Sequence, residues 1–370
     1  MRGVLALALA LVPLLAACGQ ATSIDTRALV VGIAADKGSK PGELLYTFQI
    51  PSPQSLGGGG AGGGGAGNSF YYPSAQAPSL AEAISLVENR TSRDIYLGQL
   101  RIILVALDVP PTERDRLAQE EQRLGEVDHT EWVAFTKSAA AKMLPPPSSQ
   151  EELPSMFYST HFNCRTCQST SLGVQAWRAG KELADPAHTA TLPVVERKDG
   201  QYDIGTVASF RDAQPAVQFS RGESAAIMLA LGQMQKGVMQ AQTPLGTTVV
   251  RSLRAVSERR AGVDQGGRLR LSLSVDLTGE VARQPTRAVR ITEEVGGMIA
   301  QATASQVEGV LRSAIAKSQS AGVDPFRFAT SLYTQNPELV QALGPWHRAF
   351  SKASVAVHVK VSVPEEGITV

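Results

Sequence analysis

The sequence predicts an α+β fold in three mixed domains, with antiparallel and mixed sheets packed by helices behind a cleaved leader. Three observations carry this. Strand-like apolar runs alternate with capped helical stretches through residues 28–146, the order that gives a sheet covered by helices. Residues 269, 271, 273, 275 and 277 are all Leu or Val and face Arg268, Arg270, Ser272, Ser274 and Asp276, the signature of an antiparallel strand with one wet face. A helical period of apolar residues then runs through 293–321 and stops at Gly322, with Pro325 just beyond.

The leader comes first. Arg2 gives a positive start, 4–17 is apolar, and Leu15-Ala16-Ala17 ends the run directly before Cys18. A charged head, an apolar core and a small-residue end are the pattern of a secretory signal. The run is shorter than the ~20 apolar residues of a spanning helix. An ordinary signal peptide shares these parts. The cysteine placed where polar sequence begins is similar to the lipobox of bacterial lipoproteins, in which a diacylglyceryl group joins the thiol and the leader is cut off before it. The expectation is a signal peptide over 1–17, a lipidated tether over 18–27 and a body held at the outer face of the cell membrane by acyl chains on Cys18.

Composition fits a globular body. Hydrophobic residues make up 43% and charged residues 19%, with a net charge of +1, values ordinary for a folded chain and without the basic excess of a nucleic-acid binder. After Cys18, two cysteines remain, Cys164 and Cys167, too few for a disulfide-built fold.

The N-terminal domain is expected over 28–146. Residues 28–34 (ALVVGIA) read as a buried strand, Asp36-Lys37-Gly38 and Pro41-Gly42 as a turn, and 44–51 (LLYTFQIP) as its return. Residues 57–67 are nine glycines and two alanines, a flexible loop by composition. Ser79 and Glu82 form a capping-box pattern ahead of a helix bearing Leu80, Ala83, Ile84 and Val87. Residues 100–107 (LRIILVAL) are the most strand-like run. A charged helix over 114–124, a strand over 131–136 and a turn over 139–143 follow, and Pro145-Pro146-Pro147 marks the first boundary.

A middle domain is expected over 147–215. It has helical stretches near 153–168 and 172–183 and strands over 189–195 and 202–210. The C-terminal domain, 216–370, should hold a helix over 223–240, long strands over 247–258 and 268–280, the helix 293–321, a short helix carrying Trp346 and Phe350 on its buried side, and a last strand over 354–363 (SVAVHVKVSV).

Several pieces, in this order, resemble one family: the C subunits of nutrient germinant receptors, the Ger(x)C spore germination lipoproteins. They are Cys18 in its lipobox, Gly32-Ile33-Ala34-Ala35-Asp36-Lys37-Gly38, Thr47-Phe48-Gln49-Ile50-Pro51-Ser52-Pro53 and the polyglycine stretch. The most telling is Thr91-Ser92-Arg93-Asp94-Ile95-Tyr96-Leu97-Gly98-Gln99-Leu100-Arg101. Asp324-Pro325-Phe326, Asn336-Pro337, Trp346, Phe350 and the alternating strand before Gly367 match the far end. The 150–190 segment matches nothing in the family pattern. The resemblance implies a non-enzymatic receptor component in three α+β domains, lipid-held on the outer face of the spore inner membrane. Its implied partners are a multi-spanning A subunit and a transporter-like B subunit, and its implied task is nutrient-triggered germination. Within it, Thr91, Ser92, Arg93, Gly98, Gln99 and Arg101 are the expected subunit-contact surface.

Chemistry beyond this is sparse. The five histidines are scattered, and no GxSxG, HExxH, Walker or Rossmann motif occurs; no catalytic residue, metal or cofactor is assigned. Glu293-Glu294 opens a helix, where the dipole explains it. His161, Cys164 and Cys167 could hold zinc, though a structural site needs a fourth ligand. A local disulfide, expected of an extracytoplasmic chain, or free thiols are the other readings. Asn89-Arg90-Thr91 spells a glycosylation sequon that a bacterial lipoprotein has no reason to use. A solute-binding lipoprotein of a transporter is the rival reading, and it would need a cleft between two similar lobes.

Overall fold

The computed structural model describes residues 26–52, 70–144, 154–164, 172–184, 189–234, 236–244, 246–283 and 291–363. The chain enters through β1 (Arg27–Leu29), steps into β2 (Gly32–Lys37) and returns in β3 (Leu44–Pro51). Short strands β4 (Phe70–Tyr71) and β5 (Ser74–Ala77) follow on the far side of β3. The run 28–34, expected as one strand, is therefore two. Val30 N–H bonds the carbonyl of Tyr96, whereas Val31 N–H bonds that of Gln49. Continuous apolar sequence hides the change because both halves are buried.

Helix α1 (Leu80–Glu88) starts where Ser79 accepts the Glu82 N–H at 3.1 Å. Then come β6 (Asp94–Tyr96), β7 (Ile102–Ala106), α2 (Pro111–Glu121) and β8 (Trp132–Thr136). A 3-10 turn follows at Ala140–Met143, its first N–H groups held by the Asp36 carboxylate at 2.6 and 3.0 Å. Helices α3 (Pro154–Asn163) and α4 (Ala176–Ala184) precede β9 (Ala190–Lys198), β10 (Gln201–Arg211) and β11 (Gln214–Gln218).

Among the described residues these strands make a nine-stranded sheet in the order β11-β10-β9-β8-β7-β2-β3-β4, with β5 also on β3. Its centre is parallel, β9-β8-β7-β2, and its flanks are antiparallel hairpins. Helices cover parallel strands on both faces, which accounts for all five residues of β7 being buried. The β8–β9 pairing (Phe135↔Val194, Thr136↔Val195) crosses the boundary expected at 147, so the strands on either side of the triproline share one sheet. β1 and β6 form a separate parallel pair.

One buried cation ties this sheet to its helices. Arg114, on α2, donates to the carbonyls of Leu107, Val109 and Ala213. Its guanidinium also lies 5.2 and 5.4 Å from the rings of Phe135 and Phe210. Burial pushes its pKa down to about 10, which leaves it charged at neutral pH. The rings and carbonyls replace the water it has lost.

Helix α5 (Arg221–Ala230) opens with a full Ser220/Glu223 capping box. The apolar count suggested a helix to 240, but Gly232 at φ +67° stops it, with Gln233 N–H returning to the Met228 carbonyl at 2.9 Å. The remainder becomes β12 (Gly237–Thr243), in which Gly237 and Ala241 are buried and Val238, Gln240 and Gln242 exposed. Next are β13 (Gly246–Val263), β14 (Leu269–Arg283) and α6 (Glu293–Ala321). The chain ends in α7 (Phe328–Gln335), α8 (Pro337–Ala342), α9 (Trp346–Lys352) and β15 (Ser354–Ser362).

The second sheet runs β12-β13-β14-β15, with β15 parallel to β14 after the helical crossover. Leu269, Leu271, Leu273, Val275 and Leu277 are buried, as their alternation predicts. So are Ile299, Val307, Leu311 and Ile315 of α6, which packs against this sheet. Thr292 caps α6 by accepting the Val295 N–H, and Gly322, at φ +66°, ends it.

Candidate functional site

The segment 91–101 is built from the end of α1 outward. The Thr91 hydroxyl donates to the Arg93 carbonyl at 2.7 Å, and Glu88 Oε1 accepts the Ile95 N–H at 3.1 Å. These bonds fix the turn from α1 into β6. Ile95, Leu97 and Leu100 point into the core, while Ser92, Gln99 and Arg101 are exposed and Thr91, Arg93 and Gly98 half-buried. Arg101 Nη2 donates to Gln99 Oε1 at 3.1 Å. The expected contact residues thus form two polar clusters, Thr91-Ser92-Arg93 and Gly98-Gln99-Arg101, separated by β6 and the buried Leu97.

Two details shape this surface. The Arg27 guanidinium lies 4.3 Å over the Tyr96 ring, so the first residue of β1 packs on the middle of the segment. The same ring lies over Gly98: a Cβ there would fall 2.3 Å from Tyr96 Oη and 2.4 Å from Cζ. The glycine in this motif makes room for the aromatic two residues earlier.

A second feature is a cavity of about 660 Å³ where the large sheet meets the C-terminal helices. Asp115 of α2, Glu182 of α4, Arg211 and Asp212 of the β10–β11 turn, and Trp346 and His347 of α9 line it. Arg211 crosses to the Ala321 carbonyl at 2.9 Å, and Arg327 reaches Glu182 at 3.3 Å. Behind the wall, Asp324 is 4% exposed and accepts bonds from Trp346 Nε1 at 3.0 Å and the Ala329 N–H at 2.9 Å. Its own N–H reaches Thr189 Oγ1. Burial raises its pKa to about 6, against the lowering effect of the donors. Asp324 and Trp346, separate marks in the sequence, form one hydrogen-bonded unit at the junction of the two halves.

Cys164 is disulfide-bonded, which removes the thiolate that a zinc site over His161, Cys164 and Cys167 would need. Cys167 lies outside the described residues. The His161 ring packs on Phe157 and Phe162, and burial lowers its pKa. Cys18, the tether 18–25 and the glycine-rich 57–67 also lie outside the described residues.

Sequence spacing missed one cluster. Glu121 at the end of α2, His129 and Glu131 just before β8 place one ligand atom each within 4.8 Å of one another. Loop 122–128 brings them together, so no short motif announces them.

Comparison with known proteins agrees with the order of these parts. Residues 20–197 match the family model described as spore germination protein N-terminal domain, and residues 206–367 the model described as spore germination B3/GerAC like, C-terminal. The fold is similar to the crystal structure of the GerBC protein, with a TM-score of 0.60 and 14% identity, covering 90% of this chain and 96% of that one. No curated protein matches the sequence. With family models matching both halves in order, the chain belongs to the spore germination B3/GerAC-like family.

Proposed function

We propose that this protein is the C subunit of a spore nutrient-germinant receptor, non-enzymatic and anchored by lipid on Cys18 to the outer face of the spore inner membrane. One observation carries the reading: both family domains stand in order on a single chain whose fold is like that of GerBC. Among the described residues no helix is long and apolar enough to cross a membrane, so a lipid on Cys18 would supply the anchor. Arg27 lies nine positions after Cys18, a reach of at most about 30 Å. That tether would keep β1, and the 91–101 surface packed on it, close to the bilayer and to membrane-embedded A and B subunits. The solute-binding alternative needs two similar lobes. Among the described residues the two larger sheets differ, one with nine strands and a parallel centre, the other with four strands. Deleting the gene and following dipicolinate release with single nutrients tests the reading: a nutrient-specific loss, restored by the wild-type gene, is expected.

A further inference from the structure

We propose that Glu121, His129 and Glu131 form a binding site for one divalent transition-metal ion of the zinc class, a site independent of the receptor reading. Two stretches converge there: the last residue of α2, Glu121, and the loop before β8, which carries His129 and Glu131. Their ligand atoms lie within 4.8 Å of one another, and His129 Nδ1 is already 2.6 Å from Glu121 Oε1. Tetrahedral ligands about 2 Å from zinc stand about 3.3 Å apart, so side-chain shifts of about an ångström would complete three sides of such a site.

The second observation is an oxygen with nothing to bind. Glu131 is 3% exposed, yet its Oε1 has no hydrogen-bond partner, a rare state for a buried polar atom, and the side chain its carboxyl meets is a second carboxyl, Glu121. Among the described residues the ion pairing of the cluster is His129 with Glu121, and no lysine or arginine joins it. Two buried carboxyls facing an imidazole without a cation are an arrangement that a divalent ion would compensate.

The ligand-bearing loop is also held in place from one side. The carbonyls of His129 and Glu131 accept the N–H groups of Trp177 and Ala176 at 3.2 and 2.9 Å, and Gln175 Nε2 donates to the Thr130 carbonyl at 3.1 Å. The start of α4 therefore fixes the backbone of 129–131, leaving side-chain rotation as the adjustment on binding. The imidazole favours zinc-class ions over Ca²⁺ or Mg²⁺, which take oxygen ligands. The His129 side chain is partly exposed, which gives an entry path and leaves a fourth position for water or a partner's side chain.

The test is calorimetric titration of ZnCl₂ into the untagged full chain in detergent after stripping with a chelator, alongside Glu131→Gln and His129→Asn. The expected result is one ion per wild-type chain at about micromolar affinity or tighter, weakened at least about tenfold in each variant. MgCl₂ should give no saturable binding. If a variant fails to fold, the wild type still decides. Co²⁺ should give a visible absorption band that saturates at one equivalent, and ZnCl₂ should raise the thermal midpoint. Absence of one-to-one binding, or equal affinity in wild type and folded variants, would overturn the site and leave a proton-sharing carboxyl pair.

Discussion

Trp346 Nε1 donates to Asp324 Oδ2 at 3.0 Å, inside a wall where the Asp324 N–H also reaches Thr189 Oγ1 of the large-sheet half. One buried residue thus links α9 and the start of α7 through its carboxyl, and the approach to β9 through its N–H. Trp346→Phe keeps the packing and removes the donor, so it should cost about 1–3 kcal/mol of stability, readable by denaturant titration. An unchanged midpoint would show that the bond contributes nothing.

The same carboxyl predicts a pH dependence. Its folded pKa, about 6, lies above the ordinary 3.8, so between these values the folded state holds more protons than the unfolded one. Stability contributed by the protonated form is complete below about pH 4 and is lost as pH rises through 6. A shift of about two units corresponds to roughly 3 kcal/mol. Arg259, whose own pKa burial lowers and Asp324 raises, is the charged neighbour facing it. Asp324→Asn cannot ionise, so its stability relative to wild type should improve by a few kcal/mol from pH 4 to pH 7. A difference that stays constant with pH would refute the assignment.

Phe350 is fully buried, with ring centroids 6.1 Å from Trp346 and 6.3 Å from Phe328. Phe350→Ala leaves a cavity in this cluster and should destabilise by about 3–5 kcal/mol. Thermal unfolding followed by near-ultraviolet circular dichroism would record both the loss and the loosened aromatics.

Gly98→Ala should displace the Tyr96 ring and with it the Arg27 contact. The expected cost is about 1–3 kcal/mol, and most of it should vanish when Tyr96→Ala is combined with it. Additive costs would mean that the ring is not what excludes a side chain at 98.

The surface itself is tested by charge reversal. Arg93→Glu with Arg101→Glu changes a half-buried and an exposed residue, so the thermal midpoint should stay within a few degrees, as for ordinary surface changes. The germinant response should be abolished if 91–101 meets the membrane subunits. A normal response in a stably expressed double variant removes the segment from the interface.

Much of the fold was legible because its signals are local. The alternation from Leu269 to Leu277 names a strand with one dry face, and Gly322 with Pro325 names the end of α6. Ser79 and Ser220 each start a helix by accepting the N–H of a glutamate three residues on, a signature that local sequence spells. What stayed hidden depends on partners distant in the chain. Nothing local separates Leu29 from Gly32, yet the chain changes sheets between them. Apolar residues continue past Gly232, but the backbone reverses there and a strand begins. The triproline reads as a boundary, while pairing of Phe135 with Val194 passes across it. The 91–101 segment was legible as a motif, and its division by β6 was not. Glu121, His129 and Glu131 meet through a loop whose path no spacing rule encodes, helped by His129 at φ +56°.

The central claim is most directly tested in spores lacking this gene and complemented with wild type or with Cys18→Ala, by measuring dipicolinate release after single nutrients. The account predicts a loss of response to particular nutrients that wild type restores and Cys18→Ala does not. Normal release with every nutrient in the deletion strain would contradict a receptor role, and full rescue by Cys18→Ala would contradict the anchor.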